Sequence, residues 1–156
     1  MQRAIEHKTA GHWPAAQAID SVTLDFDARH RRRIVLQTDS GAQVLMDLER
    51  AVAMADSDGL RLEEGGYLTI RAAAEPLLAI QASDPEHMLR LAWHLGNRHL
   101  PVEVTLNTLY IRPDPVIEKM LVDLGARVRT IRRAFQPEGG AYGGHGSHSD
   151  GHSHDH

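Results

Sequence analysis

The chain has 156 residues, 42% hydrophobic and only 4% aromatic, which suits one domain or two small ones with aliphatic cores. It contains no cysteine, which excludes disulfides, thiolate metal sites and a cysteine nucleophile. A formal charge of −4 with histidines neutral argues against a general nucleic-acid binder, whose usual footprint is a basic face.

Met1 to His7 lacks the apolar run of a secretory signal, and no stretch approaches the ~18 apolar residues of a membrane span. A cytoplasmic protein with no membrane partner is expected. Histidine is the outlier in composition: there are 11, and five of them fall between positions 145 and 156.

From Ile19 to Ala74 the apolar pattern has period two. Val22, Leu24 and Phe26 alternate with polar residues, and Ile34 to Leu36 and Val44 to Met46 follow at hairpin spacing around an Asp39-Ser40-Gly41 turn. Tyr67 to Ile70 follows Gly65-Gly66. These signals predict a small antiparallel β domain over residues 1–74, of a partner- or peptide-binding type. The run Arg29 to Arg33 reads as a solvated strand connection, and Leu48 to Asp58 allows one helical turn.

Beyond Pro76 strands alternate with helical periods. Leu77 to Ala82 is strand-like, and Ser83-Asp84-Pro85-Glu86 is a helix start, with a capping side chain and a proline at the first helical position. Met88, Leu91, Ala92 and Leu95 mark the buried face, and Gly96 or Asn97 is expected to take the left-handed conformation that ends the helix. Val102 to Leu106 and Leu109 to Ile111 form two strands with a turn near Asn107. Asp114-Pro115 opens a second helix with Ile117, Met120, Leu121 and Leu124 inward, Gly125 ends it, and Ala126 to Phe135 is a last strand with Val128 and Ile131 inward. The order β-α-β-β-α-β predicts an α+β chain whose residues 75–137 form a ferredoxin-like domain, a four-stranded antiparallel sheet with two helices on one face. Residues 138–156 are mainly Gly, His, Ser and Asp and have no apolar surface to offset chain entropy, so a disordered tail is expected.

Imidazole binds zinc, copper and nickel as the neutral base, so affinity falls as pH drops through the histidine range. His145, His148, His152, His154 and His156, interspersed with Gly, Ser and Asp, form a flexible multidentate candidate. Their interspersion distinguishes them from the uninterrupted run of a purification tag. His94 and His99 are five apart, about 140° around a continuous helix, so they do not chelate as a pair. One His99 does not hold a transition metal tightly, whereas a two-fold axis would present it twice.

The run His94-Leu95-Gly96-Asn97-Arg98-His99-Leu100-Pro101 resembles the Gly-Asn-Arg-His motif of the urease accessory protein E (UreE) family, nickel metallochaperones of urease maturation. The order of a β domain, a ferredoxin-like domain, Pro-Glu-Gly-Gly-Ala-Tyr at 137–142 and a histidine-rich end extends the likeness over nearly the whole chain. The resemblance implies no enzyme but a homodimer that captures Ni(II) on paired His99 residues at its interface. It also implies handover, through the GTP-binding accessory protein, to the urease apoprotein complex for active-site assembly. Some members carry a His-x-His pair before the second helix. Here Pro113 and Pro115 stand at those positions, so that accessory site is expected to be absent.

Three other readings compete. A storage or buffering protein for zinc, copper or nickel would use the same histidines. A metal-dependent hydrolase would need about three fixed ligands and a base, and His99 has no ligand-spaced partner. An RNA-binding module would need stacking aromatics on the sheet, for which the strands supply Tyr110 and Phe135 beside Arg127, Arg129, Arg132 and Arg133.

Overall fold

The computed structural model describes residues 1–139. They fold as α+β, in two compact units covering residues 1–73 and 74–138.

The first unit is a six-stranded sheet. Its strands are β1 (Gln2–Lys8), β2 (Ala18–Leu24), β3 (Arg33–Gln37), β4 (Gln43–Asp47), β5 (Gly59–Leu62) and β6 (Tyr67–Ala72), in the order β2-β6-β5-β1-β4-β3. The expected alternation holds: Val22 and Leu24, then Val44 and Met46, are buried in one cluster with Leu60, Leu62, Leu68 and Ile70. The sheet is mixed, which corrects the antiparallel expectation. β1, inserted between β4 and β5, runs parallel to β4, and the edge strand β2 runs parallel to β6. Only the β3–β4 and β5–β6 pairs are adjacent hairpins of the kind that local spacing reveals.

Two connections also differ from expectation. Residues 48–58 contain no helical turn, since their amides are committed elsewhere: Met54 N donates to Arg29 O at 3.1 Å and Ala55 N to Asp58 Oδ2 at 2.8 Å. Arg29 is not a solvated residue of its run. It is 1% exposed and donates to Leu24 O at 3.2 Å and Met54 O at 3.1 Å, tying the two loops together. Arg31, Arg32 and Arg33 are exposed.

The second unit reads β7 (Ala74–Gln81), α1 (Pro85–Gly96), β8 (Glu103–Val104), β9 (Leu109–Ile111), α2 (Pro115–Asp123) and β10 (Arg127–Ala134). All its strand pairs are antiparallel, in the order β10-β7-β9-β8. Asp84 caps α1 by accepting from His87 N at 2.8 Å, and Asp114 caps α2 from Val116 N and Ile117 N, with a proline opening each helix. Leu91 and Leu95 of α1 and Ile117 and Leu121 of α2 share one core with Leu78, Ile80, Leu109 and Ile111, so both helices cover one face of the sheet.

Leu124 is not part of that face; it is 36% exposed, and its carbonyl accepts instead from His87 Nε2 at 2.8 Å. Gly125 follows at φ 90°, ending α2 as expected. Val128 packs on the helix side, whereas Ile131, at odd spacing from it on a strand, faces the other way.

Candidate metal centre

The candidate centre is the turn that ends α1. After Gly96 the chain continues with helix-like hydrogen bonds: Asn97 N to Trp93 O at 2.9 Å, Arg98 N to Leu95 O at 3.1 Å and His99 N to Gly96 O at 3.2 Å. Asn97 keeps right-handed angles (φ −71°, ψ −11°), and the residue that turns left-handed is His99, at φ 58°. This corrects the expectation for Gly96 or Asn97. A side chain with Cβ is strained there by about 1 kcal/mol or more, although His, Asn and Asp tolerate it better than most residues. Leu100 and Val102 then pack on the core and hold the turn from its far side.

His99 is exposed, as are Asn97 and Arg98. It stands just past the C-terminal end of α1, where the helix dipole favours a cation. His94 is half-buried on the last helical turn, its ring edge-on to Trp93 with centroids 5.1 Å apart. Among the described residues no three His, Asp or Glu side chains converge to hold a metal ion. His99 thus offers one exposed imidazole as a candidate ligand, on a turn too short to bring a second. The other candidate ligands, His145, His148, His152, His154 and His156, lie outside the described residues, as does the expected disordered tail.

On the sheet, the rings that an RNA-binding reading needs are already engaged. The Arg133 guanidinium lies 4.0 Å over the Tyr110 ring, and Phe135 is fully buried. Among the described residues no helix is long and apolar enough to cross a membrane.

Sequence inspection missed a buried polar pair in the first unit. His7 Nε2 meets Asp58 Oδ2 at 2.6 Å, and the carboxylate also accepts from Ala10 N and Ala55 N. The partners are 51 residues apart, so no local pattern announces them. Burial pushes the Asp58 carboxyl up, but the bonds from His7, Ala55 N and Ala10 N outweigh it and hold it below the usual aspartate range. The pair fixes the loops around 10 and 55 against β1.

Two family models match the chain: the N-terminal domain of the UreE urease accessory protein over residues 1–73 and its C-terminal domain over residues 75–156. The urease accessory protein UreE of a Bradyrhizobium species is 55% identical over 130 residues, covering 83% of this chain and 61% of the relative. Those of a Chelativorans species and of Beijerinckia indica are each 47% identical, over 90% and 98% of this chain and 91% and 88% of theirs. The chain thus spans about three fifths of the Bradyrhizobium relative and most of the other two.

Proposed function

Because the chain belongs to the UreE family of urease accessory proteins, we propose that it is a nickel chaperone and not an enzyme, carrying Ni(II) as cargo for urease maturation. The observation that carries this reading is His99: an exposed imidazole at positive φ, just past the negative end of α1, with no second ligand in its own turn. A strained residue at a surface turn is kept where function holds it there. In a homodimer the two-fold axis sets one His99 beside the other, making a site that leaves coordination positions open and so suits exchange over permanent storage.

The histidines of residues 138–156 capture ions and raise their concentration near that site. The strand order and shared helix face of residues 74–138 support the ferredoxin-like reading, with residues 1–74 as the partner-binding domain. Delivery to the urease apoprotein complex goes through its GTP-binding accessory protein, in the cytoplasm. Zn(II) and Cu(II) fit the same imidazole chemistry.

Equilibrium dialysis against Ni(II) tests the centre. His99→Ala should abolish tight binding of one ion per dimer, and deleting residues 143–156 should lower the number of ions while leaving that one. Tight binding that survives His99→Ala refutes the paired-His99 site. A general buffering protein would instead lose all its binding with the tail.

A further inference from the structure

We propose that the outer edge of β10 is a docking surface for an extended acidic segment of a partner protein, taken up as a fifth strand of the second sheet. The proposal is independent of the nickel reading, since it uses no histidine. β10 has eight residues and lies at the edge of its sheet, paired only with β7. In an antiparallel ladder alternate residues turn their backbone N–H and C=O away from the neighbouring strand, so half of β10 faces outward. Among the described residues none of these groups finds a backbone partner beyond β7. The opposite edge differs: β8 has two residues, and beside it Glu138 N donates to Val102 O at 2.9 Å.

Charge selects the occupant. Four of the eight basic residues within 74–138 are in β10, and the strand has no acidic residue. Two of the four are engaged: Arg133 Nη2 donates to Glu103 Oε2 at 2.8 Å, and Arg132 Nη2 to Ala74 O at 3.0 Å. Arg127 and Arg129 are exposed, and among the described residues neither has an ion-pair or hydrogen-bond partner for its side chain. Their cross-strand neighbours on β7, Gln81 and Ala79, offer no negative charge. Two residues apart on a strand, both project to one face, about 7 Å from each other. That is also the spacing of alternate residues on an incoming strand, whose carboxylates would lie within reach of the two guanidinium groups.

Other occupants suit this edge less. A second copy of β10 would set arginine against arginine across the new pair, which is destabilising. A phosphate backbone would meet the charges but has no N–H groups for the outward carbonyls, and Tyr110 and Phe135 are already covered and leave no ring for bases. An extended peptide supplies both the ladder bonds and, at alternate positions, the carboxylates. Arginines on an edge deter promiscuous pairing, so here the same charges make pairing conditional on an acidic sequence.

The test is fluorescence anisotropy of the full chain with a short fluorescein-labelled peptide in which Glu alternates with Val and Thr. Arg127→Glu combined with Arg129→Glu should weaken its binding about tenfold or more. The same charge change at two exposed arginines of the first unit, Arg31→Glu with Arg50→Glu, should alter it less than about twofold. Equal losses in the two double variants would assign the binding to net charge and overturn the proposal. A peptide with every amide N-methylated keeps its carboxylates but loses its strand donors, and it should not bind; undiminished binding overturns the added strand. This arm uses the native chain, so it holds even if the Arg127 and Arg129 variant fails to fold. Tighter binding of an oligouridylate of equal charge, lost in the same Arg127 and Arg129 variant, would make the edge a nucleic-acid surface and also refute the proposal.

Discussion

In the proposed site His99 combines two demands that a residue rarely meets together, a left-handed backbone and a ligating side chain. Glycine satisfies the first without strain. His99→Gly should therefore leave the metal-free protein as stable in urea as the native chain, or more stable by up to about 1 kcal/mol, while removing the tight nickel site. His99→Val should lose the site and also cost about 1–2 kcal/mol, because a β-branched residue is poorly accommodated at that φ. Equal destabilisation by both substitutions would mean that the imidazole packs structurally. The motif singles out His99 as a candidate ligand, but its backbone was not legible. Gly96 and Asn97 are the better left-handed residues by propensity, and the run of hydrogen bonds from 97 to 99 moves that conformation down the chain. Asp58 belongs to the same scale. Its buried carboxylate serves three donors, so Asp58→Ala orphans His7 and two loop amides and should cost about 2–3 kcal/mol in urea unfolding.

Among the elements, the two helices were the most legible, because caps, opening prolines and three-to-four spacing agree locally with the packing that Leu91, Leu95, Ile117 and Leu121 make. β1 was the least. Of its residues only Ala4 is buried, and Arg3, Glu6, His7 and Lys8 hide its strand character, since each finds an ionic partner: Asp47 and Glu63 for Arg3, Arg61 and Lys8 for Glu6, Asp58 for His7. Such partners are defined only after the fold is known, and so is the parallel pairing of β1 with β4. β5 was missed for a related reason, its opening residue Gly59. A Cβ built there would stand 2.5 Å from the Trp13 ring, which stacks on Tyr67 with centroids 5.2 Å apart. Gly59→Ala should cost about 1–3 kcal/mol by displacing that ring. In a Trp13→Ala background the same substitution should cost much less. An unchanged cost in the double-mutant cycle would put the origin of the penalty in the backbone of β5 and not in the ring.

At the scale of the whole molecule, charge decides behaviour on acidification. Protonating all 11 histidines would take the formal charge from −4 to −4 + 11 = +7, which reverses its sign. Stability then follows the carboxylates whose folded values lie below their usual range, and four of them are in the first unit. Asp47 is held down by hydrogen bonding from Arg3 with Arg33 and Arg32 nearby, Glu6 by Arg61 and Lys8, and Asp20 by Ser40 and Thr38. Asp58 is held down by His7 and two amides against the opposing effect of burial. A depressed folded value means that the unfolded chain takes up protons first. The stabilisation is therefore complete above the unfolded values, about 4, and is lost as pH falls through the lower folded ones. Trp13 reports on this unit, and Trp93→Phe removes the other tryptophan. In that background the urea midpoint seen by Trp13 should fall as pH drops below about 4. Raising the salt concentration should flatten the part owed to Asp47 and Glu6, whose side chains are 21% and 44% exposed, more than the part owed to Asp58, whose side chain is 4% exposed. Asp58→Asn should lower the midpoint at neutral pH and make its decline with acid shallower, since the variant no longer has that proton to bind on unfolding. Parallel declines in the variant and the native chain would show that Asp58 does not couple folding to protons and that the acid sensitivity resides in the exposed pairs.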